Sequence, residues 1–120
     1  MIRASAEDYL ETILLLNKRG GNVRAVDIAA EMNYTKPSVS IALRKLASDG
    51  MIRYDGGCVT LTPDGAAAAE RVLERHATLA MWFTRMGVDE AIAARDACRM
   101  EHILSEETYA ALKKLADAFV

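Results

Sequence analysis

The stretch VDIAAEMNYTKPSVSIALRKLAS, residues 26–48, decides the fold of the first part of this chain. Apolar residues before a turn at residues 33–34 recur at the spacing of one helix face. After the turn, Thr35 is a suitable N-cap for a helix over residues 36–48. Pro37 falls in the first turn of that helix, where a missing N–H is harmless. Two helices joined by so short a turn are typical of a helix-turn-helix.

The residues that follow predict a wing beside this motif. Two short β-prone runs, residues 51–54 and 58–61, flank an Asp-Gly-Gly turn at residues 55–57, which is the pattern of a β-hairpin. In a winged helix-turn-helix the second helix enters the major groove of DNA with its N-terminal residues. Use of the motif for protein contacts alone is the alternative. The candidate DNA-binding residues are Thr35, Lys36, Pro37, Ser38, Ser40, Ile41, Arg44, Lys45 and Arg53.

The rest of the chain is predicted to be helical. Apolar spacing predicts four further helices, over residues 5–19, 62–86, 89–103 and 105–119. Ser5 and Ser105 are suitable N-caps, and Gly87 ends the long helix before it. We therefore expect a mainly α protein, with an N-terminal winged helix-turn-helix over residues 1–65 and an all-α domain over residues 66–120.

Composition places few limits on function. Apolar residues make up 52% of the 120 residues, which is enough for one core or two small ones. The formal net charge of −2 counts against DNA binding, because DNA-binding domains are usually basic. Residues 1–6 lack the apolar core of a signal peptide, no apolar run is long enough to cross a membrane, and two cysteines do not suggest a disulfide framework. We expect a cytoplasmic protein with no membrane partner.

Six side chains that can bind a metal lie in three separate helical stretches. They are Asp8, Glu11, His76, Cys98, Glu101 and His102. The last three form the pattern C-x-x-E-H, and residues three and four apart share a helix face. Asp8 and Glu11 can instead be solvent-exposed carboxylates, and a histidine on an apolar face, such as His76, is more often a core residue. A divalent cation would neutralise all these groups together, whereas isolated buried charge is costly.

The donor set indicates which ions can bind. Oxygen and nitrogen donors suit Mn(II) and Fe(II), while the Cys98 thiolate shifts the preference toward Fe(II), Co(II), Ni(II) or Zn(II). The carboxylates are too many for a typical structural zinc site. The set can hold one octahedral ion, or two ions bridged by Glu11 or Glu101. We therefore expect Mn(II) or Fe(II) as the cofactor, at one or two ions per subunit.

Several segments resemble those of the metal-dependent repressors typified by the diphtheria toxin repressor and its manganese-responsive relatives. The matching segments are DYLETI (8–13), VDIA (26–29), PSVS (37–40), LTPDG (61–65), RH (75–76) and ACRMEHILS (97–105). They span essentially the whole chain, and the last is highly specific. The resemblance implies a C-terminal domain that binds metal and dimerises, and a metal that orders the N-terminal helix so that both reading heads of the dimer fit one operator. We expect the chain to lack the SH3-like third domain of longer members.

The resemblance also assigns roles to individual residues. The ligands of the manganese-responsive branch match Asp8, Glu11, His76, Glu101 and His102. Cys98 departs from that branch, which has a carboxylate there, and matches the iron-responsive branch. Conversely, the iron branch has methionine in place of Asp8 and a basic residue in place of Glu11. Ala80 and Ala94 stand where the iron branch keeps ligands of an ancillary site, so we expect that site to be absent in its usual form.

We therefore expect a Mn(II)- or Fe(II)-responsive transcriptional repressor that controls metal-homeostasis genes, is not an enzyme and has no small-molecule substrate. Trp82, Phe83 and Met86, with the last two helices, are candidates for a homodimer interface, and two-fold symmetry favours a palindromic double-stranded DNA operator. One alternative is a metal-independent winged-helix regulator that senses an organic ligand. Another is a small metalloenzyme in which Glu101 or Glu11 acts as general base on a bound water.

Overall fold

The computed structural model describes residues 6–118, and the chain divides into two compact units at residue 71. The helices and strands are α1 (Ala6–Lys18), β1 (Val23–Arg24), α2 (Ala25–Met32), α3 (Lys36–Ser48), β2 (Ile52–Asp55), β3 (Cys58–Leu61), α4 (Pro63–Arg85), α5 (Glu90–Met100) and α6 (Glu106–Asp117). This mainly helical architecture confirms the predicted fold class. The division between the units lies inside α4, C-terminal to the domain boundary expected at residue 65. Within the described range, no helix is both long enough and apolar enough to cross a membrane.

The helix-turn-helix of the first unit forms at the predicted residues. α2 ends at Met32, and the left-handed backbone of the next residue, Asn33 (φ 57°), turns the chain. The Thr35 hydroxyl then accepts a hydrogen bond from the Ser38 N–H and so caps α3. Val39 and Leu43 of α3 are fully buried, and α3 packs against α2. The cap and the buried residues fix the orientation of α3 and leave its opposite face exposed. We call α3 the reading helix, because the sequence predicts that it enters the DNA groove.

A three-stranded antiparallel sheet, in the order β1-β3-β2, completes the winged motif. β2 and β3 form the predicted hairpin, in which Gly56 and Gly57 both have positive φ (57° and 82°), as a two-residue type I′ turn requires. β1 pairs with β3 through Val23 and Arg24 and was not predicted, because two residues are too few to show an alternating pattern. This extra strand ties the start of α2 to the wing.

α1 packs its apolar face into the core of the first unit. The buried residues are Tyr9, Leu10, Ile13 and Leu14. The rings of Tyr9 and Tyr34 lie 6.4 Å apart, measured between centroids. Burial, and then the nearby Tyr34 side chain, raise the pKa of Tyr9. Because Tyr34 directly precedes the Thr35 cap, α1 contacts the turn from which the reading helix starts. The predicted cap at Ser5 lies outside the described residues.

The second unit contains the C-terminal part of α4 with α5 and α6. Asp89 caps α5 by accepting hydrogen bonds from two backbone N–H groups of its first turn. Ser105 caps α6, as predicted, by accepting the Thr108 N–H. Ala93 and Ala97 are fully buried, so the packed face of α5 is lined by small side chains. The predicted end of α6 at residue 119 lies outside the described residues.

The helix predicted over residues 89–103 is too long. α5 ends at Met100, and residues 101–103 form a turn. Glu101 keeps helical backbone angles and its N–H still bonds to the Ala97 carbonyl. The Ile103 N–H, however, reaches only three residues back, to the Met100 carbonyl, so the chain tightens and leaves the helix. The last two ligand candidates therefore lie at the C-terminal end of α5 and not inside it.

The start of α4 docks closely on the segment before β2. The Thr62 N–H bonds to the Met51 carbonyl at 3.1 Å, and the Thr62 hydroxyl donates to the Gly50 carbonyl at 2.7 Å. The same hydroxyl accepts the Gly65 N–H at 3.1 Å. A Cβ atom at Gly65 would overlap the Met51 carbonyl oxygen. Only glycine fits at this approach of one backbone to another.

We expect Gly65→Ala to destabilise the protein, although replacing a helical glycine by alanine ordinarily stabilises by about 1 kcal/mol. The overlap forces the start of α4 away from Met51, and a loss of about 1–3 kcal/mol in the free energy of unfolding should follow, measured by urea denaturation. Ala67→Gly, at an exposed position of the same helix, is the control and should cost no more than about 1 kcal/mol. A Gly65→Ala protein as stable as the wild type would contradict the close approach.

Candidate metal centre and nucleic-acid interface

The exposed end of the reading helix presents a small polar surface with one apolar side chain. Thr35 is engaged within the helix itself, because its hydroxyl accepts the Ser38 N–H and donates to the Ser38 Oγ at 2.9 Å. The Ser38 hydroxyl keeps its own proton and can donate it to a phosphate or a base. Ile41, one turn later, is 67% exposed and can contact a thymine methyl group. Lys36 and Pro37 are exposed at the start of the same helix.

Basic side chains flank this surface. Arg44 and Lys45 are exposed on α3, and the Arg44 Nε–H bonds to the Ser40 carbonyl at 3.3 Å. Arg53 is exposed on β2 of the wing. Ser40 is half-buried, so it is less accessible than the other eight candidates, all of which are exposed. The first unit therefore carries every predicted DNA-binding residue, and their contacts with DNA stay a prediction.

Three of the predicted metal ligands meet at the C-terminal end of α5. Cys98, Glu101 and His102 each offer a donor atom within 4.8 Å of the donors of the other two. The His102 Nε2 lies 3.5 Å from the Glu101 Oε1. Glu101 is only 3% exposed, and the other two side chains are half-buried. The spacing i, i+3, i+4 thus brings the three donors together even though the helix ends at Met100.

A fourth candidate, His76, approaches the same cluster from α4. It lies between the buried residues Val72 and Leu79 along the helix, which turns it toward the interior. One of its ring nitrogens lies within 4.8 Å of a Glu101 carboxylate oxygen. Its Nδ1 is buried and has no hydrogen-bond partner among the residues that the structure describes. This nitrogen without a partner favours His76 as a metal ligand over a hydrogen-bonded core histidine, and its role as a ligand stays a prediction.

The remaining two candidates, Asp8 and Glu11, belong to the first unit. They lie one turn apart on α1, and both are half-buried. The Thr12 hydroxyl bonds to the Asp8 main-chain carbonyl at 2.8 Å and not to its carboxylate. Partial burial of both carboxylates argues against the view that they are ordinary solvent-exposed acids.

The donors of the second unit fit a divalent metal ion. Carboxylate, imidazole and thiolate together suit Fe(II) and its neighbours in the first transition series, and the oxygen and nitrogen donors alone suit Mn(II). A buried polar atom without a partner, such as the His76 Nδ1, costs about 1–3 kcal/mol, and metal ligation would remove that cost. Because a helix dipole is negative at its C-terminus, the end of α5 also favours a cation.

One buried charge next to this cluster was not predicted from the sequence. Arg75 precedes His76 on α4, is 8% exposed, and donates a hydrogen bond from its Nη2 to the Leu104 carbonyl at 2.8 Å. Helical periodicity could have predicted the burial of Arg75, because it lies three residues after the buried Val72 and four before the buried Leu79. Arginine on such a stripe is easily taken for a surface residue.

Comparison with known proteins places both units in one family. Residues 1–57 match the iron dependent repressor N-terminal DNA binding domain, and residues 62–119 match the iron dependent repressor metal binding and dimerisation domain. An HTH-type transcriptional regulator of Methanocaldococcus jannaschii is 32% identical over 118 residues, which cover 96% of this chain and 94% of that protein. The transcriptional regulator MntR of Salmonella typhimurium is 40% identical over 109 residues, which cover 88% and 68% of the two chains.

Solved structures show the same fold. A manganese-dependent transcriptional repressor in complex with manganese superposes with a TM-score of 0.83 at 28% sequence identity. The match covers 92% of this chain but only 51% of the solved chain, so the present chain spans about half the length of that protein.

We expect Mn(II) to stabilise the protein in the absence of DNA through the donors around Glu101. At a free concentration 100 times the dissociation constant, the free energy of unfolding should rise by about 2.7 kcal/mol, measured by anaerobic urea denaturation. Glu101→Ala should remove this gain, because Glu101 is the one donor close to both His76 and the pair Cys98 and His102 in the second unit.

Glu74→Ala is the matched control, since Glu74 is an exposed carboxylate of α4 that pairs with Lys113. The control variant should gain as much stability from Mn(II) as the wild type. Equal stabilisation of Glu101→Ala would show that the metal binds elsewhere.

Proposed function

This chain belongs to the iron-dependent repressor family, and on that premise we propose that it is a transcriptional repressor activated by Mn(II) or Fe(II) that controls metal-homeostasis genes. The observation that carries the proposal is a buried Glu101 with Cys98 and His102 on one side and His76 on the other, in one unit of a chain whose other unit is a winged helix-turn-helix. A DNA-reading unit combined with a set of cation donors has the composition of a metal sensor. The family consists of repressors, so we propose no enzymatic role, and we place the protein in the cytoplasm.

In this proposal Asp8 and Glu11 of α1 are metal ligands as well. Both are half-buried carboxylates, one turn apart, in the segment that resembles the ligand-bearing helix of the family. When bound, a divalent cation would supply the positive charge that balances these anionic donors. Six donors suffice for one octahedral ion or for two ions with a bridging carboxylate, so we propose one or two ions per subunit.

The first unit contains a route by which α1 can influence the reading helix. Asp8 directly precedes Tyr9, whose buried ring contacts Tyr34. Tyr34 in turn precedes Thr35, the residue that caps α3. Fixing Asp8 would therefore favour one position of Tyr9 and of the turn that starts α3. A coupling between metal and DNA of about 1–3 kcal/mol is ordinary for two ligands linked in this way.

We propose that the protein acts as a homodimer on a palindromic double-stranded operator. The second unit exposes several large apolar side chains, and patches of this kind commonly mark a protein interface. They are Met81, Met86, Val88, Ile92, Ile103 and Leu115. Met86 is 70% exposed, whereas Trp82 and Phe83, the other predicted interface residues, are half-buried. A two-fold dimer would present two copies of α3 to two half-sites of DNA.

Operator binding tests the proposal directly. Double-stranded DNA selected from a random pool by the Mn(II)-loaded protein should bind about 5–150-fold more tightly with Mn(II) or Fe(II), added anaerobically, than with EDTA, by fluorescence anisotropy. His102→Ala should lose this response, since it removes a donor beside Glu101, while Lys113→Met, which breaks only an exposed ion pair, should keep it.

The selected sequences test the homodimer at the same time, because two-fold symmetry requires an inverted repeat. Operator affinity that EDTA leaves unchanged would refute the proposal and favour a regulator that senses an organic ligand. A unique, non-repeated site would refute the dimer.

The thiol at position 98 should set the preference among metals. Cys98→Glu replaces a soft sulfur donor by a hard carboxylate, so the ratio of Mn(II) to Fe(II) affinity should rise, by about tenfold or more. Anaerobic titration with each ion, followed by operator binding, measures the ratio. Cys58→Ser, at the half-buried cysteine of β3, is the control and should leave the ratio as it is. An unaltered ranking of metals in Cys98→Glu would exclude Cys98 as a ligand.

A further inference from the structure

We propose that Arg75 is a positioning residue for the metal ligands, because it fixes the turn that carries Glu101 and His102 relative to His76. The inference rests on the proposed function, since it concerns the same donors. Arginine is not a metal ligand, and Arg75 acts in this proposal only through the backbone that it holds.

The turn after α5 is held by hydrogen bonds at both ends. At its start, the Glu101 N–H bonds to the Ala97 carbonyl of α5 at 3.1 Å. At its end, the Leu104 N–H bonds back to the Met100 carbonyl at 3.2 Å, and the Leu104 carbonyl accepts a hydrogen bond at 2.8 Å from the Nη2 of Arg75, a residue of α4. The side chains of Glu101 and His102 therefore project from a segment held by α5 on one side and by α4 on the other.

The surroundings of Arg75 make this bond specific. Its guanidinium lies over the Tyr109 ring, 4.9 Å from the centroid, and the residue is 8% exposed. Burying a charge is a costly way to add stability, and apolar side chains of similar size often do as well. What a buried guanidinium provides is a planar donor in a fixed direction, especially when it is stacked on a ring. We infer that Arg75 is buried for the geometry of the turn.

α4 then carries both a ligand and the residue that places the other ligands. His76 follows Arg75 directly, so the two side chains leave the helix about 100° apart. Arg75 holds the end of the turn, while a ring nitrogen of His76 lies within 4.8 Å of a Glu101 oxygen. Loss of the Arg75 bond would free the Leu104 end of the turn and widen the range of positions that His102 takes relative to Glu101, whose own N–H stays bonded to the Ala97 carbonyl.

The experiment compares Mn(II) binding by the full-length protein and its variants without DNA, using the electron paramagnetic resonance signal of free Mn(II). Arg75→Met keeps the apolar stem but removes the donor, and should weaken the dissociation constant about tenfold or more. Arg75→Lys keeps a donor and the charge but not the planar guanidinium, and should restore only part of the affinity lost in Arg75→Met. Lys113→Met is the control, because it removes a different bond of α4, the exposed 2.8 Å pair between Glu74 and Lys113 of α6, and should leave the constant unchanged.

A second measurement separates positioning from simple loss of stability. At saturating Co(II), the absorption band from the Cys98 thiolate should change shape in Arg75→Met and not in Lys113→Met. A purely structural residue would lower the melting temperature in EDTA without changing either the band or the affinity of the folded protein. Should Arg75→Met fail to fold, Tyr109→Leu removes the ring beneath the guanidinium and should weaken Mn(II) binding about threefold.

Different results would overturn the role of Arg75 and the proposed function. Wild-type affinity and an unchanged band in Arg75→Met, or wild-type affinity in Tyr109→Leu if that variant replaces it, would overturn the role of Arg75 and leave the proposed function standing. A wild-type protein that binds neither Mn(II) nor Fe(II) would overturn the proposed function itself.

Discussion

A carboxylate buried at the end of α5 is the constraint on which the second unit depends. Glu101 is 3% exposed and lies within reach of His76, Cys98 and His102. A small apolar unit tolerates such a charge only when it is balanced nearby, because transfer of an ion away from water is costly. The Glu101 Oε1 lies 3.5 Å from the His102 Nε2, and under the proposed function a divalent cation would balance the charge of the whole donor set.

The first unit depends on local features instead of a buried charge. The cap of its reading helix, the turn of its hairpin and the close approach of α4 are all formed within the unit. Thr35 caps the reading helix, Gly56 and Gly57 adopt the angles of the hairpin turn, and Gly65 brings α4 against the segment before β2. These features hold α3 through contacts made inside the first unit. Under the proposed function, metal control would act on it through α1 and the Tyr9 contact with Tyr34.

Local signals predicted most of the fold, and they failed where the structure depends on distant partners. The Thr35 cap marked α3 to the residue, but β1 is two residues long and exists only because β3 lies beside it. The end of α5 was missed because Glu101 and its neighbours are acceptable helix formers with no glycine or proline among them. For the site, the pattern C-x-x-E-H indicated the donor types, whereas burial of Arg75 depends on a carbonyl 29 positions away.

The wing is short, which limits the contacts that it could make with double-stranded DNA. Each strand has four residues, so the hairpin extends roughly 13 Å at about 3.3 Å per residue. Its tip is a two-glycine turn preceded by Asp55, a carboxylate that DNA phosphates repel. Little attraction to phosphate can come from such a tip. Under the proposed function the wing would contribute mainly through Arg53 on β2, and most of the discrimination between bases would fall to α3.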